Sequence, residues 1–392
     1  MPQTQPIVSE TENSPVVPKK AKGKIFFPHL DGLRFFSYAA VFLFHVWLLL
    51  FDRYRITGTT EKILKFLFQN GEVGVNFFFV LSGFLITYLL IEEKRITGKI
   101  HVTNFYMRRI LRIWPLFYLM VIFGLVVYPQ LKTLMGESDF KVANPWTYFV
   151  FLNNFDFLKH GAPAMISILW SVAIEEQFYL CWPLILALVP LKKQPWVFYI
   201  IIAGSLIFRS FHVHDERVLL FNTFAVIGDM AMGGLMAYLI IFHEGFKRRV
   251  EHLPKLLIAL IYVLAFTLLF FRKDIFQGSF VIFERLCFAI VFGSIILEQN
   301  FSNHSFWKLG NYRRISQLGI YTYGLYCIHV SSLTFVEIAL RKIGLNMTNP
   351  AVLLLTGAIA FFAAIGLAWL SYHYFEKRFL KLKDKFAFIV KK

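Results

Sequence analysis

Arg34 and His45 stand eleven positions apart in RFFSYAAVFLFH, a segment that is otherwise almost entirely apolar. At about 100° per residue, a helix places both side chains on one face, with about 16 Å of rise between them. The imidazole could act as a general base, because its usual pKa lies near neutral pH. Alternatively, Arg34 is an interfacial anchor and His45 only bonds a neighbouring helix. Because ionisable groups inside a membrane are costly, we interpret this shared face as functional.

A second group of candidates follows in FYMRRILRIWP, which contains Arg108, Arg109 and Arg112. On a helix, Arg112 lies within about one turn of the other two, so the three side chains can converge on a polyanion. The planar guanidinium suits phosphate oxygens. The positive-inside rule explains three basic residues here equally well, as a signal of cytoplasmic topology.

Candidates for the opposite, outer side are Ser171, Glu175 and Glu176 in LWSVAIEEQFYL, with Tyr323 and His329 in YTYGLYCIHV. A polar cluster flanked by aromatic rings could bind a sugar, and it could equally be an interfacial cap of the helix. Adjacent carboxylates on a helix point about 100° apart, so only one of the two glutamates is expected to face a given cavity.

The elements that must position these residues are membrane-spanning helices. Hydrophobic residues make up 57% of the 392-residue chain and the mean hydropathy is +0.58, above the roughly 45–50% apolar share of globular proteins. Apolar segments long enough to cross about 30 Å of hydrocarbon recur along the chain. We predict an all-α, polytopic helical bundle with about ten spans. They are 35–51, 73–91, 113–128, 168–190, 196–211, 220–242, 255–271, 280–297, 317–340 and 350–375.

Topology and domain limits follow from the charges. If the N-terminus is cytoplasmic, the segments on the cytoplasmic side contain twice as many Lys and Arg residues as those on the outer side. Because cytoplasmic loops are enriched in Lys and Arg, this predicts that both termini are cytoplasmic. We divide the chain into a disordered cytoplasmic tail at 1–24, a membrane domain at 25–380 and a basic cytoplasmic tail at 381–392. The formal charge of +17 then belongs mostly to cytoplasmic loops and does not indicate nucleic-acid binding.

Other polar residues suggest structural roles. Asp229 and Arg285 lie in the sixth and eighth spans and are expected to pair across helices. No pattern of metal ligands is recognisable, because His212 and His214 lack further ligands nearby, so we expect no metal. The three cysteines are an odd number and lie inside predicted spans, which argues against a disulfide framework.

Five ordered motifs together resemble the family 3 integral-membrane acyltransferases, bacterial enzymes that O-acylate surface polysaccharides, lipopolysaccharide or peptidoglycan. The motifs are LDGLRFFSYAAVFLFH (30–45), FFFVLSGFLIT (77–87), FYMRRILRIWP (105–115), LWSVAIEEQFYL (169–180) and YTYGLYCIHV (321–330). The sequence departs from the family pattern after His329 and after Glu376, where a proline is expected and absent.

The resemblance implies roles that periodicity alone does not supply. Arg34 and His45 match the essential Arg and His of the first-helix motif, and Arg109 and Arg112 match an Arg-x-x-Arg motif. The family pattern implies a multi-pass protein of the bacterial inner membrane. It also implies a cytoplasmic acyl-coenzyme A donor, usually acetyl, and an extracytoplasmic saccharide or glycolipid acceptor. No bound cofactor is implied. Some members carry an additional hydrolase-like domain, which we do not expect here.

These observations lead to a mechanistic hypothesis. Arg109 and Arg112, with Arg108 and Arg34, would bind the coenzyme A phosphates, while His45 would activate the acceptor hydroxyl or accept the acyl group. A transporter or flippase is the alternative function, because polar stripes in membranes also form substrate pathways. A non-catalytic membrane scaffold is a third.

Overall fold

The computed structural model describes residues 27–134, 143–161 and 163–386, and these residues form helices joined by turns. The predicted tail at 1–24 lies outside the described residues, as do the last six residues of the predicted tail at 381–392. Residues 381–386 complete a short helix and a 3-10 turn.

Ten long helices dominate the fold, and the described residues contain ten helical segments long and apolar enough to cross a membrane. This confirms the predicted all-α polytopic bundle. The long helices are α1 (Pro28–Val46), α2 (Gly74–Thr97), α3 (Val102–Ile122), α4 (Leu169–Leu188), α5 (Gln194–Phe211), α6 (Thr223–Phe242), α7 (Lys255–Ile275), α8 (Val281–Phe301), α9 (Thr322–Lys342) and α10 (Pro350–Leu370).

Shorter elements connect or extend them. π-helical turns at Trp47–Asp52, Phe123–Val127 and Ser371–Glu376 continue α1, α3 and α10. The short α-helices are Thr59–Phe68, Tyr128–Leu134, Pro145–Phe149, Asn153–His160, Ala164–Ser167, Glu216–Phe221, Glu244–Glu251, Arg313–Ile320 and Lys377–Lys383.

The third helix differs most from its prediction. We predicted a span beginning at residue 113, but α3 begins at Val102 and continues through the three arginines. Hydropathy alone places the boundary too late, because it treats Arg108, Arg109 and Arg112 as loop residues. The helix continues through them because their side chains line a cavity inside the bundle and avoid lipid.

The buried apolar side chains form two packed cores. The larger core joins α2, α3, α4, α6 and α8, and the smaller one joins α1, α9 and α10. Helices α1 and α9 contribute to both cores, so they lie at the boundary between them. The predicted pair of Asp229 and Arg285 is confirmed, with 2.5 Å between the carboxylate and the guanidinium across α6 and α8. The candidate site occupies the boundary that α1 and α9 share with α2, α3 and α4.

Helices α2 and α6 approach each other so closely that glycine is required on both. A Cβ on Gly83 would lie 2.0 Å from the carbonyl oxygen of Met230, and a Cβ on Gly233 would lie 2.0 Å from that of Val80. Small residues that allow close backbone approach are typical of helix contacts within membranes. This contact holds α2, which carries part of the candidate site, against the larger core.

We expect Gly83→Ala to destabilise the protein by about 1–3 kcal/mol, because the added methyl group must separate α2 from α6. Thermal unfolding in detergent measures the effect. The matched control is Gly204→Ala in α5, where an added Cβ meets no atom within 4 Å. Equal melting temperatures for the two variants would contradict this account of the contact.

Candidate active site

Two adjoining cavities lie between α1, α2, α3, α4 and α9. The larger, which we call the vestibule, has a volume of about 380 Å³ and lies beside the N-terminal part of α1 and the segment after α10. The smaller, which we call the inner chamber, has a volume of about 120 Å³ and extends further into the bundle. Arg34, Arg109, Arg112 and Tyr323 line both cavities. The inner chamber is also lined by Ser82, Ser171, Glu175, Tyr179 and Tyr326.

The arginines between the two cavities are of two kinds. Arg34 pairs with Asp31 at 2.6 Å. Neither Arg109 nor Arg112 forms a hydrogen bond or an ion pair with any residue that the structure describes, and Arg109 Nε is buried without a partner. The Arg109 guanidinium lies 5.5 Å from the centres of two aromatic rings, those of Phe105 and Tyr179. Both guanidiniums can therefore bind an anion, and the carboxylates of Glu175 and Glu376 line the same cavities.

Arg108 differs from its two neighbours although it also lines the vestibule. Its guanidinium lies 3.4 Å from the carboxylate of the fully buried Glu93 and donates a hydrogen bond of 2.6 Å to the carbonyl of Phe386. Arg108 therefore connects α3 to α2 and to the segment after α10. The role of Arg108 in donor binding stays a prediction. Its guanidinium already contacts Glu93 and the Phe386 carbonyl.

The structure distinguishes the two adjacent glutamates. Glu175 lines the inner chamber, where it accepts hydrogen bonds from Ser82 Oγ at 2.9 Å and Tyr179 Oη at 3.0 Å. Glu176 points elsewhere and accepts a 2.7 Å hydrogen bond from Trp114 Nε1 of α3. We placed both on the acceptor side, but the chamber that contains Glu175 also contains Arg109 and Arg112.

The remaining outer-side candidates also reach the chamber or its wall. Ser171 Oγ lies 2.7 Å from Tyr326 Oη, so α4 and α9 are joined across the chamber. Tyr323 donates a 2.7 Å hydrogen bond to the carbonyl of Ile113 in α3. His329 is fully buried behind Tyr326 and does not line either cavity.

His45 and His329 contact each other directly. The distance from His329 Nε2 to His45 Nδ1 is 3.3 Å. Each Nδ1 also lies within 2.9 Å of a backbone carbonyl, that of Val41 for His45 and that of Tyr326 for His329. A carbonyl oxygen only accepts hydrogen bonds, so each neutral ring carries its proton on Nδ1. The lone pair of His329 Nε2 then faces His45, and the basic lone pair of His45 is on its own Nε2.

His45 is half-buried and does not line either cavity. Tyr326 lines the inner chamber, and its ring centre lies 5.7 Å from that of His329. Tyr38, one of the residues on the same face of α1, packs edge-on to the His329 ring with 5.8 Å between centres. The Tyr38 hydroxyl is buried without a hydrogen-bond partner. Helix α1 therefore carries Arg34 at the cavities and His45 one side chain beyond them. Among the described residues, no group of three or more His, Cys, Asp or Glu is arranged to hold a metal ion.

Comparison with known proteins assigns the fold to a family. A family model described as an acyltransferase domain matches residues 27–373, which include all ten long helices. The chain belongs to the family 3 acyltransferases. The family resemblance predicted from five motifs is therefore confirmed.

Two proteins with curated descriptions are similar in sequence to part of this chain. The O-acetyltransferase OatA of Staphylococcus aureus is 28% identical over 340 residues, covering 80% of this chain and 51% of that protein. The peptidoglycan O-acetyltransferase OatA of Listeria monocytogenes is 37% identical over 190 residues, covering 46% of this chain and 27% of that protein. The chain thus spans about half the length of the Staphylococcus aureus protein, and its match covers about a quarter of the Listeria monocytogenes protein. No solved structure matches the chain.

Sequence reasoning missed part of this acyltransferase's site. Ser82 is a hydroxyl in the apolar stretch FFFVLSGFLIT. Tyr179, predicted only as a ring that flanks the polar cluster, lies four residues after Glu175, one helical turn away, and bonds it. Both signals were present in motifs that we quoted. Glu376 also lines the vestibule and accepts a 2.9 Å hydrogen bond from Ser371, and it belongs to the element that lacks the expected proline.

Proposed function

We propose that this acyltransferase moves an acyl group, acetyl in the first instance, from cytoplasmic acyl-coenzyme A to a hydroxyl of a saccharide outside the bacterial inner membrane. The observation that carries the proposal is the pair of unpartnered guanidiniums, Arg109 and Arg112, between the vestibule and the inner chamber. They offer an anion site of the kind that coenzyme A phosphates require. The relatives described as peptidoglycan O-acetyltransferases make peptidoglycan the first acceptor to test.

The donor would enter through the vestibule. With the topology predicted from Lys and Arg, the vestibule opens to the cytoplasm, because it lies beside the start of α1 and the end of the described chain. The phosphates would bind Arg109 and Arg112, and the pantetheine arm would carry the thioester into the inner chamber. The hydroxyls of Ser82 and Tyr179, both oriented by Glu175, line its path.

In the transfer step, the acceptor oxygen attacks the thioester carbonyl carbon while its proton moves to Nε2 of His45. The C–S bond breaks, and the departing sulfur takes the proton back, leaving the ester, free coenzyme A and neutral His45. His329 holds His45 in the required tautomer. Because His45 lines neither cavity, the step requires a movement of the side chains around it that opens the histidine pair to the inner chamber.

The proposal is tested by following free thiol in detergent-solubilised protein supplied with acetyl-coenzyme A and soluble peptidoglycan fragments. We expect coenzyme A release that depends on the fragments, together with acetylated fragments in the mass spectrum. A transporter or flippase would move saccharide across vesicles and leave the thioester intact. Saccharide movement without thioester cleavage would therefore overturn the proposal.

The two glutamates give a matched pair of variants. We expect Glu175→Gln to lower the rate of transfer about 10- to 100-fold, since hydrogen bonds to a charged group contribute about 1.5–3 kcal/mol each and this carboxylate orients two hydroxyls. We expect Glu176→Gln to lower the melting temperature and leave the rate of the folded fraction within about threefold. Equal rates for the two variants, normalised to folded protein, would contradict the assignment of Glu175 to the chamber.

A further inference from the structure

A third cavity, which we call the outer cavity, lies at the end of α2 away from the vestibule. Its volume is about 70 Å³. Its polar lining comes from the start of α2, the start of α4, the end of α5, the end of α7 and the start of α8, with Glu216 from a connecting helix. The residues used in the argument are Glu72, Asn76, Trp170, Arg209, Arg272 and Glu284.

The arginines of the outer cavity are all engaged. Arg209 donates to the backbone carbonyls of Leu219, Val281 and Ile282, at 3.1, 2.7 and 2.9 Å. Arg272 pairs with Glu72 at 2.7 Å and with Glu284 at 2.9 Å. The third, Arg285 in α8, pairs with Asp229 in α6, while its Nε is buried without a hydrogen-bond partner. The cavity therefore differs from the Arg109–Arg112 site, because each of its guanidiniums already contacts a carboxylate or backbone carbonyls.

Asn76 and Trp170 offer unpartnered hydrogen-bonding groups to the outer cavity. Asn76 is only 6% exposed, yet its amide forms no hydrogen bond with a described residue. The partly exposed Trp170 also donates no hydrogen bond from its indole N–H to a described residue, whereas the indole N–H groups of Trp114 and Trp182 donate to Glu176 and Thr87. Buried polar groups in folded proteins are almost always hydrogen-bonded, so an amide left open toward a cavity indicates a ligand.

The unpartnered groups define the class of ligand. The Asn76 amide offers two donors and an acceptor, and Trp170, which packs against Phe79 and Phe221, offers apolar ring surface and an N–H donor. Glu216 also lines the cavity, and its carboxylate can accept hydrogen bonds from hydroxyls. A neutral molecule with several hydroxyls and an apolar ring face matches this set, which is the chemistry of a sugar. The volume admits one edge of a sugar ring and excludes a whole oligosaccharide.

The outer cavity and the inner chamber are separated by a thin wall. Val75 lines both cavities. Trp170 lines the outer cavity and precedes Ser171, which lines the chamber. The Trp170 ring packs edge-on against Phe79 of the chamber, with 6.2 Å between ring centres. A hydroxyl held in the outer cavity is therefore one layer of side chains away from a thioester in the chamber.

We propose that the outer cavity binds the acceptor saccharide, with the Asn76 amide bonding ring hydroxyls and Trp170 packing on the ring face. This inference rests on the proposed acyl transfer, and it assigns the acceptor to a cavity separate from the arginine site, with Trp170 from the motif at 169–180 and Asn76 from just before the motif at 77–87. Acceptor and donor then bind at opposite ends of α2, and the acceptor hydroxyl must pass the wall formed by Val75, Phe79 and Trp170 to reach the thioester and His45.

The test measures transfer with saturating acetyl-coenzyme A while soluble peptidoglycan fragments are titrated. We expect Asn76→Ala and Trp170→Leu to raise the KM for the fragments tenfold or more, with the KM for acetyl-coenzyme A changed less than twofold. Trp170→Phe keeps the ring and removes the N–H, so an intermediate increase is expected. The controls are Trp146→Leu and Asn311→Ala, both at exposed positions, with an unchanged KM.

The outcomes separate the two proposals. If the wild-type protein releases coenzyme A with the fragments present and the Asn76 and Trp170 variants keep its acceptor KM, the outer cavity is not the acceptor site. A parallel rise in both KM values would mean general distortion and would also overturn it. If the wild-type protein releases no coenzyme A, the proposed function fails. Calorimetric binding of the fragments to wild-type and Asn76→Ala protein then still decides whether the cavity binds saccharide.

Discussion

Replacement of His45 by alanine is expected to lower acyl transfer about 10²- to 10⁴-fold, the usual contribution of a general base. The reason is the fixed tautomer of the histidine pair. Nδ1 of His45 faces the Val41 carbonyl and His329, so the basic lone pair of the neutral ring is on Nε2, where a proton of the acceptor can be taken up. The measurement is the rate of coenzyme A release per folded protein, with the amount in the membrane determined by immunoblotting.

Two further variants make this result specific. His214→Ala removes an exposed histidine from the connection after α5 and is expected to keep the wild-type rate. His329→Gln keeps a polar group beside His45 but loses the ring that fixes its orientation, so a partial loss of kcat and a changed pH profile are expected. Normal O-acylation by the His45→Ala protein would show that this histidine is only a structural contact between α1 and α9.

Loss of Arg109 or Arg112 is expected to weaken donor binding. A hydrogen bond to a charged group contributes about 1.5–3 kcal/mol, so each alanine variant should raise the KM for acetyl-coenzyme A about 10- to 100-fold. The acceptor KM should change little. Arg→Lys at either position keeps the charge but loses the planar fork, and an intermediate effect is expected. Donor titrations at saturating acceptor provide the measurement.

The competing explanation of these arginines is topology, and one control addresses it directly. Arg248→Ala removes a charge from the short helix after α6, where the side chain is 74% exposed and lies 4.0 Å from Glu244. This charge is assigned to the same membrane side as Arg109 and Arg112, and the variant should keep both KM values. If the Arg109 and Arg112 variants instead keep their donor KM and insert with altered orientation, judged by cysteine labelling of the loops, the arginines act as topology signals.

Much of the fold could be predicted from local sequence. Hydropathy along the chain predicts ten spans, because each span must satisfy its own backbone hydrogen bonds and present apolar side chains to lipid. Helical periodicity predicts that Arg34 and His45 share a face of α1. The predicted third span begins at residue 113, eleven residues after the start of α3 at Val102. The arginines in this part of the helix lower its mean hydropathy to that of a loop, although their side chains line an internal cavity.

Local sequence could not decide which glutamate faces the chamber, since both fit the helix equally well. That choice depends on Ser82 and Tyr179 on one side and Trp114 on the other. The same limit applies to the arginines. Arg108 and Arg109 are adjacent arginines, yet of the two only Arg108 forms an ion pair with the buried carboxylate of Glu93. Whether a cation is free or neutralised is set by residues that other helices supply.

The sequence by itself determined the family, the number of spans and the presence of Arg34 and His45 on one helix face. These properties depend on composition and on spacing within one helix. Only the tertiary structure decided that His45 meets His329, 284 residues away, and that Asn76 and Trp170 are left without partners beside a cavity. Such contacts arise from the packing of helices that are distant in the chain, and no local period in the sequence encodes them.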